Sequence, residues 1–129
     1  MALRCLLVDD SARFLQAARA LLEREGLVVD IALTGADALR RAGAFRPDVV
    51  LVDIDLGDES GFELARRLDE HRFDDRHTTG GPGIIMVSTH QREDFEELIA
   101  DSPALGFLAK SALSASAVHE LLLGPSGQV

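Results

Sequence analysis

The chain has 129 residues, 47% of them hydrophobic and 27% charged, which is one globular domain with enough apolar side chains for a single core. Its 22 acidic against 13 basic residues leave a formal charge of −9, a field that repels phosphate backbones and argues against direct binding of DNA or RNA. The single Cys5 excludes an intrachain disulfide and every thiolate metal motif, and no run approaches the ~20 apolar residues of a membrane span.

In chain order, residues 3–8 are an apolar run of strand length, ended by the acids Asp9 and Asp10. That early interruption is unlike a signal peptide, so a cytoplasmic protein is expected. Ser11 is placed to cap a helix carrying Phe14, Ala17, Ala18, Leu21 and Leu22 on one face, and Gly26 marks its end. Residues 27–33 form the second strand. Thr34 and Asp37 have the spacing of a capping box before a short helix with Ala38, Leu39 and Ala42 inward. Pro47 closes that connection, and residues 48–52 are the third strand.

Ser60 and Glu63 repeat the capping-box spacing, ahead of a helix with Phe62, Ala65 and Leu68 inward. Residues 71–83 are polar and rich in Thr and Gly, which predicts a surface loop. Residues 84–87 are the fourth strand, Phe95, Leu98 and Ile99 the apolar face of a fourth helix, and residues 105–109 a fifth strand. Ala117, Val118, Leu121 and Leu122 line a fifth helix. No repeat or second domain is evident: residues 1–123 read as one domain and 124–129 as a tail or the start of a linker.

Five strand–helix units with strands apolar throughout predict an α/β fold, a doubly wound parallel sheet flanked by five helices. Ligands of such sheets bind at the carboxyl ends of the strands, near the topological switch point. Those ends carry Asp9 and Asp10 after the first strand, Asp53 after the third, Ser88 and Thr89 after the fourth, and Lys110 after the fifth. Any one of these residues has an ordinary alternative: Asp10 as a turn former, Ser88 as a cap, Lys110 as a solvated surface charge. Together they point to chemistry. Three converging carboxylates repel one another unless a cation intervenes, and an open oxygen-rich site suits Mg²⁺. The set fits phosphoryl transfer to a carboxylate, with the cations neutralising the phosphoryl oxygens and a hydroxyl donating to them.

In order and spacing, the motifs resemble those of the receiver domains of two-component response regulators. They are Val8 with Asp9 and Asp10, Pro47 through Asp53, Gly61 eight residues on, Met86 to Ser88, and Gly106 to Lys110. The resemblance implies a flavodoxin-like fold with Asp53 as phosphoacceptor and Asp10 as a direct Mg²⁺ ligand. Asp9 would act nearby or through water, and the backbone carbonyl of Asp55 would complete the protein ligands. Lys110 would pair with the phosphoryl group, Ser88 would be the switch hydroxyl and Phe107 the rotating aromatic. It also implies a sensor histidine kinase or phosphotransfer protein as donor, an unknown output target, and no enzymatic activity beyond the domain's own phosphorylation and dephosphorylation. The surface of the fourth helix, fifth strand and fifth helix would switch, and could form a homodimer.

The sequence departs from that family at four places. Gly57 stands where a proline is usual, Ser111 where one often follows the lysine, Phe107 lacks a tyrosine hydroxyl, and Thr89 and His90 follow the switch hydroxyl. Thr89 is expected to narrow access to Asp53, with Asp55 and His90 tuning attack by water. Two rival readings were weighed against the motifs. A haloacid-dehalogenase-type phosphatase would use Asp53 and Asp55 but leaves Asp9 and Asp10 unexplained. A phosphate-independent receiver-like binding module would need none of the acidic set.

Overall fold

The apolar runs become parallel strands, and alternation along them sends their side chains to two separate core layers. In the structure, a computed structural model describing residues 2–71, 82–89 and 95–123, the strands are β1 (Arg4–Val8), β2 (Val28–Ala32), β3 (Val49–Asp53), β4 (Gly83–Ser88) and β5 (Gly106–Ala109). The helices are α1 (Ala12–Arg24), α2 (Gly35–Phe45), α3 (Gly61–His71), α4 (Glu96–Ala100) and α5 (Ala115–Leu123). The strands pair in the order β2-β1-β3-β4-β5, all parallel, which is the expected doubly wound sheet.

Cys5, Leu7, Leu51, Ile85 and Val87 pack on one face with Leu15, Ala18 and Leu22 of α1 and Val118 of α5. Leu6, Val8, Val50, Val52 and Met86 pack on the other with Ala38 of α2, Phe62, Ala65 and Leu68 of α3, and Ile99 of α4. Burial on both faces explains why β1 and β3 are apolar without alternation.

Local signals set the helix ends. Ser11 Oγ accepts the Phe14 N–H and starts α1, which ends where Gly26 takes φ +100° and Leu27 N–H reaches back 3.0 Å to the Leu22 carbonyl. Thr34 Oγ1 accepts the Asp37 N–H at 3.1 Å, but the Asp37 carboxylate turns to Arg40 and Arg41 rather than closing a capping box.

Several expectations shift in detail. Leu15 rather than Ala17 fills the buried side of α1. His71 closes α3 and Gly83 opens β4, so the connection between them is shorter than the polar composition suggests. Leu98 and Leu105 are about half exposed: α4 has only five residues and buries Ile99 alone, and Leu105 precedes β5, which begins at Gly106. The remainder of the expected 71–83 loop, His90, and residues 124–129 lie outside the described residues. Among the described residues no helix is long and apolar enough to cross a membrane.

Candidate functional site

The chain leaves β1 for β2 on one side and continues from β3 to β4 and β5 on the other, so the switch point lies between β1 and β3. Val8 is in register with Val52, which sets the next residues side by side, Asp9 just past β1 and Asp53 at the end of β3. Both carboxylates are buried, Asp9 at 1% and Asp53 at 6% exposure, while Asp10 is exposed at the rim. Carboxylate oxygens of all three lie within 4.8 Å of one another. Two negative charges buried together are costly, and among the described residues one cation lies against both.

That cation is Lys110, in the short 3₁₀ turn Lys110–Ala112 that follows β5. Its strand is separated from β3 by β4, so only a long side chain spans the gap. Nζ lies 2.6 Å from Asp9 Oδ2 and 3.5 Å from Asp53 Oδ2. The contact with Asp9 is close but off the alignment of a hydrogen bond, which leaves the buried Oδ2 without a directed donor. Asp9 Oδ1 accepts the Ser11 N–H at 2.8 Å, so the turn that starts α1 also orients this carboxylate. Asp53 Oδ1 accepts the Asp55 N–H at 3.3 Å.

The electrostatics follow from this arrangement. Burial first, and then the adjacent Asp9 charge, push the Asp53 pKa up to about 6, against the opposing pull of Lys110 and the Asp55 N–H. Burial works against the charged form of Lys110, but its contacts with Asp9 and Asp53 outweigh that and raise its pKa. Three carboxylates facing one ammonium leave an excess of negative charge, and Asp9 Oδ2 is a buried acceptor lacking an aligned donor. Both observations fit a hard divalent cation with oxygen ligands.

Two glycines shape the pocket. Gly61 begins α3 against the end of β3: a Cβ there would meet the Asp53 carbonyl oxygen at 2.0 Å, and its N–H donates to the Ile54 carbonyl at 2.8 Å. Gly57 has φ +75°, a conformation that the proline of the resemblance cannot adopt, and a Cβ there would lie 3.3 Å from Asp10 Oδ2. It turns a small antiparallel ribbon, Asp55–Leu56 against Glu59–Ser60, beside the acidic cluster. The Asp55 carboxylate accepts the Gly57 N–H at 3.2 Å, and among the described residues the carboxylate cluster holds Asp9, Asp10 and Asp53 without Asp55.

Ser88 is buried at the end of β4, one residue past Val87, the register partner of Asp53. Phe107 is half-buried in β5, opposite Met86 and against the core layer that holds Val52, Phe62 and Ile99. Thr89 is exposed next to Ser88. Ser111 follows the lysine with no cis peptide among the described residues, and the Lys110 ammonium still reaches both aspartates. Sequence reading missed one neighbour of the site: Phe14 was assigned to the helix core, yet its ring centroid lies 4.3 Å from Lys110 Nζ. Helical periodicity gives a residue's face, and nothing in it points to a lysine 96 positions away.

Residues 5–122 match the family described as the response regulator receiver domain. The chain is a response regulator receiver domain. This receiver domain is 36% identical over 91 residues to protein PilH of Pseudomonas aeruginosa, covering 70% of the chain and 72% of that protein. It is 35% identical over 119 residues to a protein-glutamate methylesterase/protein-glutamine glutaminase of Symbiobacterium thermophilum, covering 88% of the chain but 30% of that longer protein. Among solved structures it resembles a response regulator protein from Burkholderia pseudomallei with a phosphorylated aspartic acid, a calcium ion and citrate. That likeness has a TM-score of 0.77 and 27% identity, and covers 92% of this chain and 66% of that one. The receiver domain is a phosphoacceptor signalling domain of two-component systems, and the phosphatase and phosphate-independent readings are not favoured.

Proposed function

We propose that Asp53 is the phosphoacceptor of this receiver domain and takes its phosphoryl group in a Mg²⁺-dependent reaction. The observation that carries the proposal is the pairing of buried Asp9 and Asp53 at the switch point, with the Lys110 ammonium reaching both. An Asp53 carboxylate oxygen attacks the phosphorus of a phosphohistidine on a sensor kinase or phosphotransfer protein. The P–N bond breaks toward the imidazole and an acyl phosphate forms. Asp10 and Asp53 would hold the metal, Asp9 would act nearby or through water, and the Asp55 backbone carbonyl would be a further ligand. Bound there, Mg²⁺ supplies positive charge to the phosphoryl oxygens.

The remaining roles belong to side chains of the chain itself. Lys110 exchanges part of its contact with Asp53 for a phosphoryl oxygen, a charge-assisted bond across the same gap. Phosphorylation adds roughly −1.5 to −2 charges and strong acceptors, which draw the Ser88 hydroxyl toward Asp53. Phe107 then turns further into the layer it already borders, and the surface of α4, β5 and α5 changes for an output target or a second copy of the chain. The calcium ion and phosphorylated aspartic acid of the Burkholderia protein support this assignment by similarity.

The experiment is intact mass after addition of acetyl phosphate, with and without Mg²⁺, on wild type and Asp53→Asn. One added phosphoryl group in wild type only, dependent on Mg²⁺, is the expected result. Addition to the Asn variant would move the acceptor elsewhere, and no addition to either would overturn the proposal.

A further inference from the structure

Among the described residues the Lys110 ammonium has three charged or aromatic contacts, two of them the carboxylates of Asp9 and Asp53. The third is the ring of Phe14, whose centroid is 4.3 Å from Nζ, well inside the distance at which an aromatic face attracts a cation. Lys110 is mostly buried, with its side chain 17% exposed, so water screens that attraction weakly. Phe14 and Asp9 line the same small hollow with Leu7, Val8, Leu51, Val87 and Leu113, and Asp9 is the one polar member of that set. The Phe14 ring is thus one wall of a mostly apolar hollow, with its face 4.3 Å from the ammonium.

The backbone ties the ring to the carboxylate. Asp9 Oδ1 accepts the Ser11 N–H at 2.8 Å, and Ser11 Oγ accepts the Phe14 N–H at 3.2 Å. One turn thus sets both the charge that Lys110 pairs with and the ring against which it lies. The lysine's long side chain carries many rotamers, so what it touches decides where its ammonium lies. We infer that Phe14 is a positioning residue for Lys110: the face of its ring holds the ammonium in the bridge between Asp9 and Asp53.

The inference concerns the lysine role in the function proposed above, and its effect on phosphoryl transfer rests on that reading. With the ring in place the ammonium is already over the gap that the phosphoryl oxygens will enter. Without it, the lysine must be ordered during the reaction, and the reaction slows.

The test uses the full chain with Phe14 replaced by phenylalanine analogues bearing progressively more ring fluorines. These preserve shape while draining negative potential from the ring face. Two quantities are followed: Mg²⁺-dependent phosphoryl uptake from acetyl phosphate by intact mass, and water exchange of the Lys110 ammonium by ¹⁵N NMR without any phosphodonor. Uptake is expected to fall stepwise by about three- to tenfold across the series, the rate equivalent of losing one cation–π contact. Ammonium exchange should accelerate in the same order. Phe14→Leu should match the end of the series and Phe14→Trp should equal or exceed wild type. Flat ammonium exchange across the fluorinated series overturns the inference. If wild type itself takes up no phosphoryl group, the functional reading fails, and the exchange series still decides the role of Phe14.

Discussion

Replacing Asp53 by Asn should stabilise the metal-free receiver domain, and the gain should depend on pH in a defined direction. In the fold Asp53 is buried beside Asp9, and its pKa stands at about 6 against an ordinary value of 3.8. The folded pKa is the higher one, so between these values the folded state binds more protons than the unfolded state. Stability is therefore lost as pH rises from about 4 through about 6. A shift of roughly 2 units corresponds to about 3 kcal/mol once Asp53 is fully ionised, and to about 1 kcal/mol at pH 4.5. Asn keeps the shape and removes the charge, so it escapes this cost. Relaxation around Asp53 lowers the measured gain to between about 1 and 3 kcal/mol at pH 7.5, a Tm increase of roughly 4 to 10 °C for a domain of this size. The assay is thermal or urea unfolding of both proteins in EDTA, from pH 4.5 to 7.5. Mg²⁺ should then stabilise wild type, by about 2.7 kcal/mol at a hundred times its Kd, and leave the variant nearly unmoved. An Asn variant no more stable than wild type at pH 7.5, or a gap that does not widen with pH, would refute the account of a repulsive pocket.

Gly61→Ala places a methyl group 2.0 Å from the Asp53 carbonyl oxygen and 2.8 Å from two further backbone atoms, none of which can swing aside. It should cost about 2 kcal/mol or more, and a Tm within 2 °C of wild type by calorimetry would contradict that packing. Cys5 is fully buried and its thiol pKa is pushed up to about 12 by burial, so it should resist an aromatic disulfide reagent until denaturant is added. Prompt labelling of the folded protein would show that β1 opens locally. Thr89→Ala, at the exposed rim next to Ser88, should speed loss of the phosphoryl group by about threefold if Thr89 limits water access. Unchanged rates of phosphorylation and dephosphorylation, followed by intact mass, would remove Thr89 from the site.

The parts of the site that the sequence announces lie directly at strand ends. Asp9 and Asp53 follow apolar runs, and a parallel sheet with its switch point between those runs must bring them together. Strand burial on both faces made the fold legible for the same reason, because Leu6 and Leu7 have to enter different layers. What periodicity cannot express is which distant partner a surface group finds. The Glu59 carboxylate accepts the Gly35 N–H from 24 residues away, and Glu25 accepts the Ala115 N–H across 90. Both add a distant acceptor to helix starts that Thr34 and Ser114 also cap locally. The ribbon around Gly57 was equally hidden, since two-residue strands carry no alternation to detect. Leu98 misleads in the opposite sense: its apolar character suits a core face, yet α4 is too short to bury more than Ile99.

The pocket also shows why a conformational switch can be driven from this position. Asp9 and Asp53 are held close against their mutual repulsion by the surrounding fold, with a single lysine spread between them. A side chain in that position has competing demands, and a new anion on Asp53 changes which of them wins. In the proposed reaction the metal would offset the repulsion among the carboxylates, and the roughly two added negative charges would draw on the nearest donors, because a buried charge without partners costs several kcal/mol. Lys110 leads into the turn after β5, and Ser88 closes β4 beside Ala109 of β5. In their proposed roles, both donors would act on the β4–β5 side of the sheet. In the proposed switch, the Lys110 bridge of 2.6 Å to Asp9 and 3.5 Å to Asp53 is the contact that a phosphoryl group on Asp53 would redistribute.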